Sequence, residues 1–98
     1  MYKEEPKKYA KNKEDNKSLI WKAGKRHPVQ PKMRVYHAYV KGGYYRVAPV
    51  TYISGEVAYE VFFIPTGAKS AADVRDIKEH LANDEEGKAL AAQDYLTS

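Results

Sequence analysis

The sequence predicts an α+β domain: a three-stranded antiparallel β-meander covered by one or two C-terminal helices and preceded by a basic, partly disordered N-terminal arm. Three observations carry that expectation. Residues 33–64 are dense in β-branched and aromatic side chains and are interrupted by glycine-bearing turns, residues 70–96 turn to Ala-rich sequence behind a serine cap, and residues 1–32 are poor in apolar side chains and rich in lysine. A chain of 98 residues supports one core, because surface-to-volume scaling leaves too little buried area for two. The expected division is therefore an arm and linker over 1–32 and a βββαα domain over 33–98.

Residues 1–18 carry only Met1, Tyr2, Tyr9 and Ala10 as apolar or aromatic side chains. Without a 3.6-residue stripe this stretch is expected to be disordered when the protein is alone. Ser18-Leu19-Ile20-Trp21-Lys22-Ala23-Gly24 offers a serine cap, an apolar run with the only tryptophan and a glycine stop. That pattern suits one or two helical turns docking on the body or on a partner, with the body favoured as the place for Trp21. Pro28 and Pro31 then impose an extended linker.

Met33 to Val40 reads as the first strand of the domain, and Gly42-Gly43 supplies the positive φ angles of a tight hairpin. Tyr44 to Ile53 is the return strand. Pro49 has no ladder donor, so the strand is expected to bulge there or to face an edge. A turn at Ser54-Gly55-Glu56 leads to a third strand, Val57 to Ile64, closed by Pro65-Thr66-Gly67. Ser70-Ala71-Ala72-Asp73 resembles a helix cap, and Ala71, Val74, Ile77 and Leu81 recur at helical spacing, which predicts an amphipathic helix over 70–82. Asn83 to Glu86 opens a second helix with Leu90, Ala91, Tyr95 and Leu96 as packing candidates, and Gly87 weakens its first turn.

The formal charge of +4 hides an asymmetry. The first 34 residues hold eleven Lys/Arg against four Asp/Glu, whereas the remainder is mildly acidic. Clustered cations neutralise phosphates without needing a fold of their own, so the arm points to a polyanionic partner, DNA or RNA. In the second strand, placing Val47 and Ile53 in the core leaves Tyr44, Arg46 and Tyr52 on the open face. Rings beside a guanidinium on an open sheet suit base stacking or phosphate contact. The candidate binding residues are Lys7, Lys8, Lys11, Lys13, Lys22, Lys25, Arg26, Lys32 and Arg34 of the arm and its margin, with Tyr44, Arg46 and Tyr52 of the sheet.

Gly43-Tyr44-Tyr45-Arg46-Val47, the turn at Gly55, a third strand and the cap near Lys69-Ser70-Ala71-Ala72 resemble the three-stranded-sheet DNA-binding domains of the AP2 and integrase arm-binding type. Over residues 33–82 that resemblance implies a sheet entering the major groove with a helix packed behind it. Pro49 in a longer second strand and the acidic Glu60 depart from the pattern.

Several chemistries lack their residues. The chain has no cysteine, so disulfides, thiol catalysis and Cys-based metal sites are excluded. His27, His37 and His80 have no metal-ligand spacing, and no phosphate-binding glycine loop or nucleophile elbow occurs. No cofactor or metal is expected. A small ribonuclease could use His37, Arg46 and a nearby tyrosine as base, phosphate clamp and positioner. No apolar run approaches the length of a membrane span, and Met1 to Pro6 does not read as a secretory signal, which places the expected site of action in the cytoplasm. The leading expectation is a small non-enzymatic nucleic-acid-binding protein. The alternative is a small interaction module of the viral or mobile-element kind, an inhibitor or assembly subunit, whose Tyr-rich sheet and arm bind a protein or ribonucleoprotein.

Overall fold

A computed structural model describes residues 19–97. The part of the arm expected to be disordered, including Lys7, Lys8, Lys11 and Lys13, lies outside the described residues. The architecture is α+β, but the sheet has five strands rather than three: β1 (Lys22–Arg26), β2 (Arg34–Val40), β3 (Gly43–Thr51), β4 (Val57–Pro65) and β5 (Arg75–Leu81). They form an antiparallel meander in sequence order, and one helix, α1 (Asp84–Thr97), lies on one face.

The central hairpin follows from its turn. Val40 pairs with Gly43, and the register runs through Tyr39↔Tyr44, His37↔Arg46 and Tyr36↔Val47. A Cβ on Gly43 would stand 2.3 Å from the Ile64 carbonyl oxygen, so glycine is required by close approach as well as by the turn. The β3–β4 ladder runs in register from Gly43↔Pro65 to Thr51↔Val57 and passes through Pro49↔Tyr59 without a bulge. Pairing with β2 stops at Val47, so Pro49 sits where β3 has lost that neighbour and a missing N–H breaks no ladder.

Two segments expected to be helical are extended. Leu19 and Trp21 pack against the core as an irregular lead-in, and Lys22–Arg26 pairs with β2 instead of forming helical turns. The arm therefore contributes a strand, and its Gly24 carbonyl accepts both Nε and Nη2 of Arg34 at 3.3 Å. At 70–82, the Ser70 cap forms and its Oγ accepts from the Ala72 N–H, yet it closes only one 3-10 turn at Ala71–Asp73. The chain then becomes β5, because Arg75–Leu81 can satisfy the open backbone edge of β4, which a helix would leave unpaired.

The spacing that imitates a helix is produced by irregular pairing. Tyr59 faces Leu81 while Val61 faces Lys78, and Phe62 faces Asp76, so β5 spends extra residues at two places. His80 takes a positive φ of 59° at one of them. Ile77 and Leu81 thus both reach the inner face, and Glu79 does not.

The core is Val40, Tyr45, Val47, Tyr59, Val61, Leu81 and Ala91, with Tyr36, Phe63, Leu90 and Tyr95 packed around it. Val47 belongs there as expected, whereas Ile53 is fully exposed beyond the end of β3. α1 begins at the expected place, with Asn83 Oδ1 accepting from the Glu86 N–H at 2.9 Å. Gly87 is buried, and a Cβ there would stand 2.9 Å from Val47 Cγ1. Ala91, one turn on, is also buried, so small residues let the helix approach the sheet. Farther along, Asp94 accepts the Tyr45 hydroxyl at 2.6 Å and both Nη atoms of Arg75 at 2.8 Å.

Two outcomes test this packing. Gly87→Ala in an ordinary helix position would gain about 1 kcal/mol. Here the stiff, buried Val47 must move, so the net result is expected to be a loss of about 1 kcal/mol in urea unfolding. Asp94 is held below its usual 3.8 chiefly by the Arg75 hydrogen bonds, with Tyr45 adding to them against the effect of burial. A carboxylate with a depressed folded pKa contributes fully above its unfolded pKa and loses that contribution as pH falls through the folded value. Asp94→Asn should cost about 1–2 kcal/mol near pH 7, discounted because Arg75 is half exposed, and should flatten the stability loss below about pH 4.

Candidate ligand-binding face of the sheet

With α1 on the inner face, strand alternation sends every second side chain of β2, β3 and β4 to the other side, where the 71–74 segment lies beside Arg46 and Phe62. Cross-strand partners share a face, so the strand register defines two rows. One runs Lys22, His37, Arg46, Phe62, Asp76 across all five strands, and the next runs Tyr39, Tyr44, Ile64.

His37, Tyr39 and Tyr44 form a ring cluster. His37 lies 5.4 Å from Tyr44 edge-on and 6.2 Å from Tyr39 nearly parallel, and the two tyrosines are 5.2 Å apart. Tyr39 is half exposed. Burial, and secondly the Arg46 guanidinium facing it, hold the His37 imidazole below 6.5. It is therefore neutral at neutral pH, presenting a ring without adding charge.

Arg46 extends over Phe62, with its guanidinium carbon 6.0 Å from the ring centroid. Its Nε is enclosed and has no hydrogen-bond partner. The same guanidinium borders a hollow of about 290 Å³ lined by Phe62, Ile64, Ala71, Val74 and Asp76. Beyond it the face turns acidic. Glu60 is pushed above its usual 4.5, first by burial and then by Glu79 beside it.

The sequence-derived candidates are distributed unevenly over this geometry. Tyr44 and Arg46 stand together on the open face as expected, and Lys22 lies on their row. Lys25 and Arg26 are exposed on β1, and Lys32 is exposed in the turn before β2. Arg34 is tied to Gly24 and has its N–H donated to Tyr59 Oη. Tyr52 is not with the others. Six residues along from Arg46, roughly 20 Å away, its ring stacks on His80 at 4.0 Å and its hydroxyl accepts the His80 N–H. The trio named for catalysis does assemble, with His37 opposite Arg46 and beside Tyr44.

Tyr39, Phe62, Ile64, Val74 and Asp76 join the face without having been singled out. Counting outward from the Gly42-Gly43 turn finds Tyr39, since Val40↔Gly43 puts Tyr39 opposite Tyr44. Within residues 70–82 the helical period assigns Val74 to the packing face of a helix and gives Asp76 no place on the sheet, whereas both line the hollow beside Arg46. Among the described residues no cluster of potential metal ligands occurs, and no helix is long and apolar enough to cross a membrane.

An NMR titration should give His37 a midpoint below 6.5. Arg46→Gln should raise it only partly, because burial is the larger cause. No family model, curated protein or solved structure matches this chain.

Proposed function

We propose that the protein is a non-enzymatic nucleic-acid-binding module whose open sheet face receives unpaired bases while basic side chains of the arm and of β1 contact phosphates. The observation that carries this reading is the cluster of His37, Tyr39 and Tyr44 rings beside Arg46 on the face opposite α1. Aromatic side chains on an open sheet stack on bases of any sequence, and such stacking is available to single strands but not to the closed interior of a duplex. Lys22 on the row of His37, with Lys25 and Arg26 exposed on the same edge strand, supplies charge beside that cluster.

A second reading is favoured by the other half of the face. Phe62, Ile64 and Val74 are apolar, and Glu60, Asp76 and Glu79 repel a phosphate backbone, so a basic protein partner fits there better than a polyanion. The likeness to sheet-based DNA-binding domains supports the first reading in its use of a sheet and differs in taking duplex rather than single strands.

Fluorescence anisotropy with labelled single-stranded RNA, single-stranded DNA and duplex DNA over a salt series separates these readings. Single strands should bind more tightly than duplex, with a log–log salt slope of about −0.7 per neutralised phosphate. Tyr44→Ala and Tyr39→Ala should each weaken binding about 5- to 150-fold, corresponding to about 1–3 kcal/mol per stacked base. Absence of binding at low salt would leave the protein-partner reading, and shortened RNA after incubation would replace binding with cleavage.

A further inference from the structure

The hollow beside Arg46 has a more specific composition than a stacking platform needs. Arg46, Phe62 and Asp76 occupy consecutive strands of one row, because Arg46 pairs with Phe62 and Phe62 with Asp76. Two strand spacings separate the outer members by about 10 Å at the backbone. Between them lie the Phe62 ring as floor and the Ile64, Ala71 and Val74 side chains as walls. Its volume of about 290 Å³ lies at the lower end for small-molecule sites, which suits one flat ring system.

The polar groups of the hollow face each other with opposite requirements. Arg46 carries an enclosed Nε–H with no acceptor. That atom is shut off from solvent, so the terminal Nη groups are the part of the guanidinium that a ligand in the hollow meets. A guanidinium fork offers two parallel donors and asks for two adjacent acceptors. Asp76 on the opposite side is acceptor-only when ionised and asks for donors. A ligand bridging them must be flat, apolar on its faces, and carry adjacent acceptors along one part of its rim and adjacent donors along another.

Guanine meets these conditions most fully among the nucleobases. Its O6 and N7 are neighbouring acceptors matched to the arginine fork, and its N1–H and N2 amine are neighbouring donors matched to a carboxylate. Uracil lacks the amine. Adenine and cytosine each offer an amine without a second ring donor beside it. The geometry points to the Arg46–Phe62–Asp76 hollow as a guanine-selective pocket: the base lies on Phe62, Arg46 donates to O6 and N7, and Asp76 accepts from N1 and N2. This assignment rests on the nucleic-acid reading above and adds sequence preference to it. It also gives the acidic half of the face a part in binding, since Asp76 reads a base edge rather than a phosphate.

The test uses the full chain and nine-nucleotide labelled RNAs, oligouridine with guanine, inosine, adenine, cytosine or uracil at the centre. Guanine should bind at least tenfold more tightly than adenine, cytosine or uracil, with inosine, which lacks the N2 amine, in between. Asp76→Asn should bring guanine down to the level of inosine. Arg46→Lys keeps the charge but removes the fork, so it should abolish the preference while leaving the salt slope unchanged. Equal affinity for all five RNAs, with the steep salt response intact, would overturn the guanine assignment and leave the binding face standing. No binding to any of them would remove both.

Discussion

The seating of α1 on β3 decides most of what this molecule presents to its surroundings. Gly87 brings the helix backbone against Val47, and the buried Ala91 continues the close approach one turn later. A larger side chain at either place would hold the helix off the sheet. At the far end the Tyr45 hydroxyl and the Arg75 guanidinium converge on Asp94, so apolar contact and a charged clamp fix the same orientation. Because strand side chains alternate, assigning Tyr45, Val47, Tyr59 and Val61 to the helix side sends Tyr44, Arg46 and Phe62 to the open side in one step.

The edges of the sheet follow the same economy of backbone pairing. A three-stranded meander would leave β4 with an open row of N–H and C=O groups beside its core residues, and β5 closes it before the chain enters the helix. That closure needs irregular pairing, since Ile77 and Leu81 must point inward while Glu79 points away. His80 absorbs the irregularity with its positive φ and is braced by the Tyr52 ring and hydroxyl. Tyr52 thereby serves the fold at the far end of β3.

Charge divides the sheet along the strand order. Lys22, Lys25 and Arg26 lie on β1, with Lys22 on the open-face row and Arg26 opposite Arg34 on the helix side, Arg46 stands in the middle, and Glu60, Asp76 and Glu79 lie on β4 and β5. On the proposed reading this gradient orients a bound strand, with phosphates toward β1 and base edges toward β5, since a phosphate near the carboxylates is repelled and a base donor there is attracted. On the same reading the rings between them stack without regard to sequence, and the proposed Arg46–Asp76 pair adds the discrimination.

The local chemistry of this chain is written in its residues. The Gly42-Gly43 hairpin, the β-branched and aromatic strands, the Asn83 cap and the inward place of Val47 all follow from turn geometry, alternation and capping, which act over a few positions. Tyr44 and Arg46 were legible on the open face for the same reason. Residues 70–82 were not, because a four-residue apolar spacing fits a helix and also a bulged strand, and only the open edge of β4, distant in sequence, selects the second. The arm's strand β1 depends likewise on finding β2, and the neighbourhood of Asp76 depends on β5 existing at all. The sequence by itself determined the elements whose conformation is set by near neighbours. Tertiary structure alone decided those whose backbone partners lie on another strand, because unpaired hydrogen-bonding groups on a sheet edge outweigh the small helical preference of seven residues.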